Sequence, residues 1–153
     1  MAEKRSVAKA LANYALYRRA GDLVYFAGIV AADPARGKVI TSYADLPADI
    51  ARSIGSTGEM SVDSKEGPIA AQAWFVLSQL KRTVEDAGGT LADVVKLTQY
   101  FTDLRDFPIY NRIRRMFFGD SPPASTVVRV VELLPTPDSR LEVEAIAHIP
   151  RRR

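Results

Sequence analysis

The stretch Pro122–Ala147, PPASTVVRVVELLPTPDSRLEVEAIA, limits the possible folds of this chain more than any other. It reads as two strands, Ser125–Val131 and Leu141–Ala147, joined by a turn built from Pro135, Pro137 and Asp138. Val, Thr and Ile suit a pleated, half-buried surface, and the Pro–Asp cluster cannot continue a ladder. In the second strand Leu141, Val143, Ala145 and Ala147 share one face; Glu142, Glu144, Ile146 and His148 share the other. A carboxylate alternating with core positions is either a solvated edge charge or a working acid/base.

At 153 residues the chain is expected to form one domain with a full core, and 47% hydrophobic and 25% charged residues fit an ordinary globular protein. The absence of cysteine excludes disulfides, zinc ribbons and thiol nucleophiles together. With one histidine, most metal sites and the nucleophile–His arrangements are excluded too. There is no Walker loop and no GxGxxG, so no cofactor is expected. Carboxylate, hydroxyl, amide and backbone groups remain for any catalysis.

No apolar run approaches the ~20 residues of a membrane span. The opening MAEKRSVAKALANYAL lacks a signal-peptide core, which reads as a cytoplasmic protein. The net charge of +3 owes part of its value to Arg151–Arg153, a basic tail without the interleaved aromatics of a single-strand platform. Nucleic acid is therefore not the expected partner.

Along the chain, residues 1–12 form an N-terminal arm. Leu16–Arg19 and Leu23–Ala31 read as a hairpin turning at Ala20-Gly21-Asp22. The second limb, LVYFAGIVA, is apolar on both faces and belongs inside a sheet. Gly28 within it marks a bulge or a close backbone approach, either to a ligand or to a neighbouring subunit. Residues 41–67 are read as an inserted loop, a lid or a surface excursion, with Pro47–Ile54 able to form two helical turns and Ser61–Gly67 irregular. A helix is expected from Pro68 to Ala87, with Ile69, Ala73, Val76, Leu80 and Val84 on one face and Gly88-Gly89 beyond it. Val94–Thr102 reads as a strand. A second helix runs from an Asp106 N-cap to Gly119, its buried side marked by Phe107, Tyr110, Arg114, Phe117 and Phe118. Asn111 falls on that stripe, where it is a structural pin or a substrate donor. The order β-β-α-β-α-β-β predicts an α+β fold with the helices on one face of a mixed sheet.

Three motifs carry a family resemblance. Pro123-Ala124-Ser125-Thr126…Leu134-Pro135…Leu141-Glu142-Val143-Glu144-Ala145-Ile146-Ala147 resembles the C-terminal signature of the RidA/YjgF proteins, enamine/imine deaminases. DLRDFPIYNRIRRMFF is similar to a second family segment, and Ala27-Gly28 stands where the family has Ser-Gly. The resemblance implies a chorismate-mutase-like fold and a homotrimer around a central barrel, with small-molecule clefts between subunits. Carried over residue by residue, it implies that Glu142 handles protons as water attacks a C=N carbon. Tyr14, Ala27, Gly28, Asn111, Ser125 and Val127 take the substrate-binding places. Ser125 stands where the family pattern has the arginine that forks onto a substrate carboxylate. Arg129, on the same strand face, or Arg18, Arg112 or Arg52 could supply the missing cation. ANYALYRRAGDLVYFAG resembles the 2-aminomuconate deaminase branch. Three functions follow: an imine or enamine hydrolase with altered substrate, a non-catalytic ligand-binding protein, or RNA cleavage linked to translation inhibition.

Overall fold

The computed structural model describes residues 9–152; most of the N-terminal arm and the last arginine of the basic tail lie outside the described residues. Five strands form one sheet in the order β1-β2-β7-β5-β6. They are β1 (Tyr17–Ala20), β2 (Leu23–Val30), β5 (Val94–Phe101), β6 (Ala124–Arg129) and β7 (Leu141–His148). Short strands β3 (Ala32–Asp33) and β4 (Lys38–Val39) make a separate ribbon. The hairpin forms as expected, with Gly21 at φ +60° in the turn, and β2 sits between β1 and β7.

The turn between the last two strands does not make a hairpin. β6 pairs in parallel with β5, and β7 pairs antiparallel with both β5 and β2. The helix α3 (Phe107–Phe118) that joins β5 to β6 is the crossover a parallel pair requires. The centre of the sheet thus goes to β7, whose residues Leu141, Val143, Ala145 and Ala147 are all buried. Gln72, itself fully buried, pins the returning loop: its Nε2 donates to the carbonyls of Ile40 and Asp138, and its Oε1 accepts from the Arg140 N–H.

The main helix α2 runs from Met60 to Asp86, so the stretch read as irregular, Ser61–Gly67, is helical and Pro68 lies inside the helix. The helix starts early because Asp63 gathers the preceding loop, accepting from the backbone N–H groups of Thr57 and Gly58 and from the hydroxyls of Ser56 and Thr57. A proline preference for the first turn is outweighed by this local cap and by packing. Residues 43–54 are also structured: a 3₁₀ turn at Tyr43–Asp45 and helix α1 (Ala48–Ser53) bury Tyr43, Leu46, Ala51 and Ile54 in the main core. Asp106 precedes α3 as expected, but its carboxylate accepts from Arg140 Nε at 3.0 Å and Nη2 at 3.2 Å rather than capping the helix amides.

Both long helices cover one face of the sheet, where Leu97, Phe101, Leu141 and Val143 are fully buried. Burying each such side chain contributes about 1.5–3 kcal/mol. The other face carries Leu23, Tyr25, Tyr100, Glu142, Glu144, Ile146 and His148, and Leu23 and Tyr25 there are exposed. No helix among the described residues is long and apolar enough to cross a membrane.

Candidate functional site

Glu142 lies mid-sheet, opposite Val30 on β2 and Tyr100 on β5. Between Phe26 and Ile29 the β2–β7 register slips, so Ala27 and Gly28 together face one residue of β7. This bulge brings the Gly28 backbone onto the Glu142 side chain. A Cβ added at Gly28 would sit 2.0 Å from Glu142 Oε1, a distance no real side chain tolerates. The bulge expected at Gly28 is present, and the group its backbone approaches is Glu142 of the same chain, not the ligand or neighbouring subunit expected of a close approach.

Glu142 opens into a cleft of about 440 Å³. Leu11, Ala12, Tyr14, Ala27, Gly28, Val30, Leu134 and Pro135 line the rest of it, and it is mostly apolar. Tyr14 stands at its rim, its hydroxyl oxygen accepting from the Leu11 N–H at 3.3 Å. Among the described residues nothing donates a hydrogen bond to Glu142. Burial, assisted by the like charge of Glu144, pushes the Glu142 carboxyl up from its ordinary value. Neighbouring Glu144 is held differently, accepting from the Tyr100 hydroxyl at 2.7 Å. No residue of 41–67 lines this cleft.

The remaining candidates gather on the opposite face. Ser125 pairs with Leu97, whose β7 partner is Ala145, and so it lies on the helix-covered side. Ser125 Oγ accepts from Gln99 Nε2 at 2.8 Å and from Arg114 Nη1 at 2.9 Å. Arg114 Nη1 also donates to Gln99 Oε1 at 2.7 Å, and its Nη2 donates to Asn111 Oδ1 at 2.8 Å. The buried Tyr110 hydroxyl donates to the same Gln99 Oε1 at 2.7 Å, and burial raises its pKa. The Arg114 guanidinium lies 5.6 Å from the Tyr110 ring centroid and 5.7 Å from that of Phe107, a cation–π geometry.

Tyr14, Ala27, Gly28 and Glu142 thus form one cluster, and Asn111 and Ser125 another, with the sheet between them. Val127 is half-buried on the same strand as Ser125, paired with Gln99. Arg129 shares the Ser125 face but is exposed, and its Nε donates to the Thr102 carbonyl at 3.3 Å. Arg112 is tied to the Ile54 carbonyl at 2.9 Å, and Arg18 and Arg52 are exposed. The cation beside Ser125 is Arg114, which reads from sequence only as part of the helix's buried side. The signal for it was its i,i+3 spacing from Asn111, which places both side chains on one helix face. The signal for Gln99 was its place in alternation with Leu97 and Phe101 on the core side of a strand, where a buried amide needs hydrogen-bond partners. Among the described residues no cluster of His, Cys, Asp and Glu could hold a metal ion.

The model of the endoribonuclease L-PSP family matches residues 4–149. The chain belongs to the RidA/YjgF family. A RutC family protein from Pyrococcus abyssi is 30% identical over 140 residues, spanning 92% of this chain and 89% of its own. The 2-iminobutanoate/2-iminopropanoate deaminase of Salmonella typhimurium is 36% identical over 106 residues, 65% of this chain and 81% of that protein. A solved Klebsiella pneumoniae structure, described provisionally as an endoribonuclease, superposes with a TM-score of 0.87 at 47% identity. It covers 90% of this chain and all of its own. The mixed sheet with two long helices on one face is accordingly the RidA fold, and this member carries Ser125 in its PAST motif.

Proposed function

We propose that this RidA-family chain hydrolyses an enamine or imine intermediate in a cleft shared by two copies of itself, with Glu142 as the acid/base. One observation carries the reading. Glu142 is a half-buried carboxyl without a hydrogen-bond donor among the described residues, laid on a glycine backbone in an apolar cleft, and its pKa is raised. A raised pKa makes such a carboxyl a better proton donor than an ordinary one while its conjugate base can still take a proton back.

The chemistry balances with water alone. Water adds to the C=N carbon while Glu142 protonates the nitrogen. The carboxylate takes the surplus proton of the added water and passes it to the nitrogen of the carbinolamine. The C–N bond then breaks as the hydroxyl proton returns to the carboxylate, and ammonia leaves with a carbonyl product. No cofactor or metal enters the step.

The two side-chain clusters lie on opposite faces of the sheet, so one chain cannot apply both to one ligand. A homotrimer in which the Glu142 face of one copy meets the Asn111–Ser125 edge of the next would complete the site. β6 suits that role as an edge strand paired only with β5. The reaction fits a cytoplasmic setting, where imine intermediates of amino-acid metabolism arise. RNA cleavage has less support, since the single histidine, His148, is exposed at the end of β7.

A second reading, a non-catalytic binder of small molecules in the same cleft, is favoured by Ser125 in the arginine's place. Ammonia release from imines generated in situ separates the two. Turnover in wild type that Glu142→Gln abolishes supports the hydrolase; ligand-induced thermal stabilisation without turnover in either protein supports the binder.

A further inference from the structure

The cluster around Arg114 contains only neutral acceptors, and those are spent inwards. Gln99 Oε1, Ser125 Oγ and Asn111 Oδ1 all accept from the Arg114 guanidinium. The ion pairs among the described residues join Arg36 to Asp33, Lys38 to Asp45, Arg105 to Asp103 and Arg140 to Asp106. Arg114 is in none of them. This half-buried guanidinium is held by two aromatic faces and three neutral oxygens and has no counter-ion among the described residues.

The groups left over are donors. Because Ser125 Oγ accepts from both Gln99 and Arg114, its own hydrogen is free to point away from them. Because Asn111 turns its oxygen to Arg114, its amide N–H groups face elsewhere. Arg114 keeps its Nε–H and a second Nη2 hydrogen without an acceptor among the described residues. Ser125 is exposed, so the cluster is open to a ligand. One cation with a planar fork, flanked by neutral donors, matches a singly charged carboxylate.

We propose that Arg114, delivered from α3, is the carboxylate-binding residue of the site and makes this chain specific for anionic substrates. Resting on the deaminase reading, this keeps the carboxylate that the family's arginine holds and changes the residue that holds it. The loss of arginine at Ser125 is then a relocation of the cation from strand to helix.

The test measures calorimetric affinities of 2-oxobutanoate, its neutral amide and inorganic phosphate, alongside ammonia release from the corresponding imino acid. Wild type should bind the oxo acid about 10- to 100-fold more tightly than the amide, the range expected of charged hydrogen bonds. Arg114→Gln should reduce that ratio to near one, Arg114→Lys should keep part of it, and Ser125→Arg in the Arg114→Gln background should restore it. A purely structural Arg114 would lower stability but leave the ratio unchanged. The inference is overturned if wild type binds acid and amide alike, binds neither, prefers phosphate, or keeps its preference in Arg114→Gln. The wild-type comparison decides even if a variant does not fold. Acid preference that depends on Arg114 without any ammonia release would sink the deaminase reading alone. Glu142-dependent release that ignores Arg114 would sink this inference alone.

Discussion

The two clusters on either side of the sheet are built on opposite physical plans. Glu142 has no donor among the described residues, sits in an apolar cleft and leans on a bare glycine. Arg114 is fixed by Gln99, Ser125 and Asn111 and by two aromatic rings. A group that must exchange protons is served by being left unsolvated and unpaired, because that moves its pKa toward the working range. A group that must hold an anion is served by rigid orientation, because its charge never changes. If Glu142 and Arg114 take the proposed roles, the chemistry and the specificity of the site are separable, and each can be broken without the other.

The largest effect is expected at the proton-transfer half. Glu142→Gln should lower turnover by about 10²–10⁴-fold, the usual contribution of a positioned acid/base, while leaving oxo-acid affinity within a few-fold. Equal loss of binding and turnover in steady-state and calorimetric measurements would mean that the two halves are not separable. Next comes Gly28→Ala. Its methyl would need the space of Glu142 Oε1, so the carboxyl must swing away. Misplacement on the scale of 1 Å costs about 10²-fold, and kcat should fall by that order with the fold intact by circular dichroism. Undiminished kcat would show that the Glu142 position is not critical.

At the binding half, Gln99→Leu removes the shared acceptor of Tyr110 and Arg114. Leaving buried donors unpaired should cost about 1–3 kcal/mol, read as a midpoint shift in denaturant unfolding. Acid-over-amide preference should weaken as Arg114 loses its register. The smallest effect is a pH dependence. The folded pKa of Glu142 is raised, so its contribution to stability is fully present below the ordinary value of 4.5 and is lost as pH rises through the folded value. Glu142→Gln should therefore be more stable than wild type at pH 8, with the difference vanishing near pH 4 in thermal melts. A difference that grows on acidification would contradict the raised pKa.

Much of the architecture was legible in the residues. The alternation in LEVEAIA placed Leu141, Val143 and Ala145 inwards and Glu142 outwards, and a two-residue period leaves no other choice on a half-buried strand. Pairing was not legible in the same way, because period two says which face a residue takes and nothing about its neighbour. Hence the surprise that β5 lies between β6 and β7. The start of α2 is not legible in the sequence, because Pro68 is a strong local signal, while Asp63 gathering the preceding loop is visible only in three dimensions. Glu142 and Ser125 could be named from motifs. That a guanidinium from a helix reaches Ser125 could not, since it depends on how α3 lies across β5 and β6.

In the proposed oligomer one working site takes its Glu142 half from one copy and its Arg114 half from another. Subunit complementation separates that arrangement from a site built within one chain. Glu142→Gln and Arg114→Gln chains, each at the activity floor alone, would be unfolded together, refolded as mixed oligomers and assayed for ammonia release from an imino acid. Activity should reappear in the mixture, because some interfaces then pair an intact Glu142 with an intact Arg114. Mixed oligomers, verified by differential tags, that stay at the floor would contradict it.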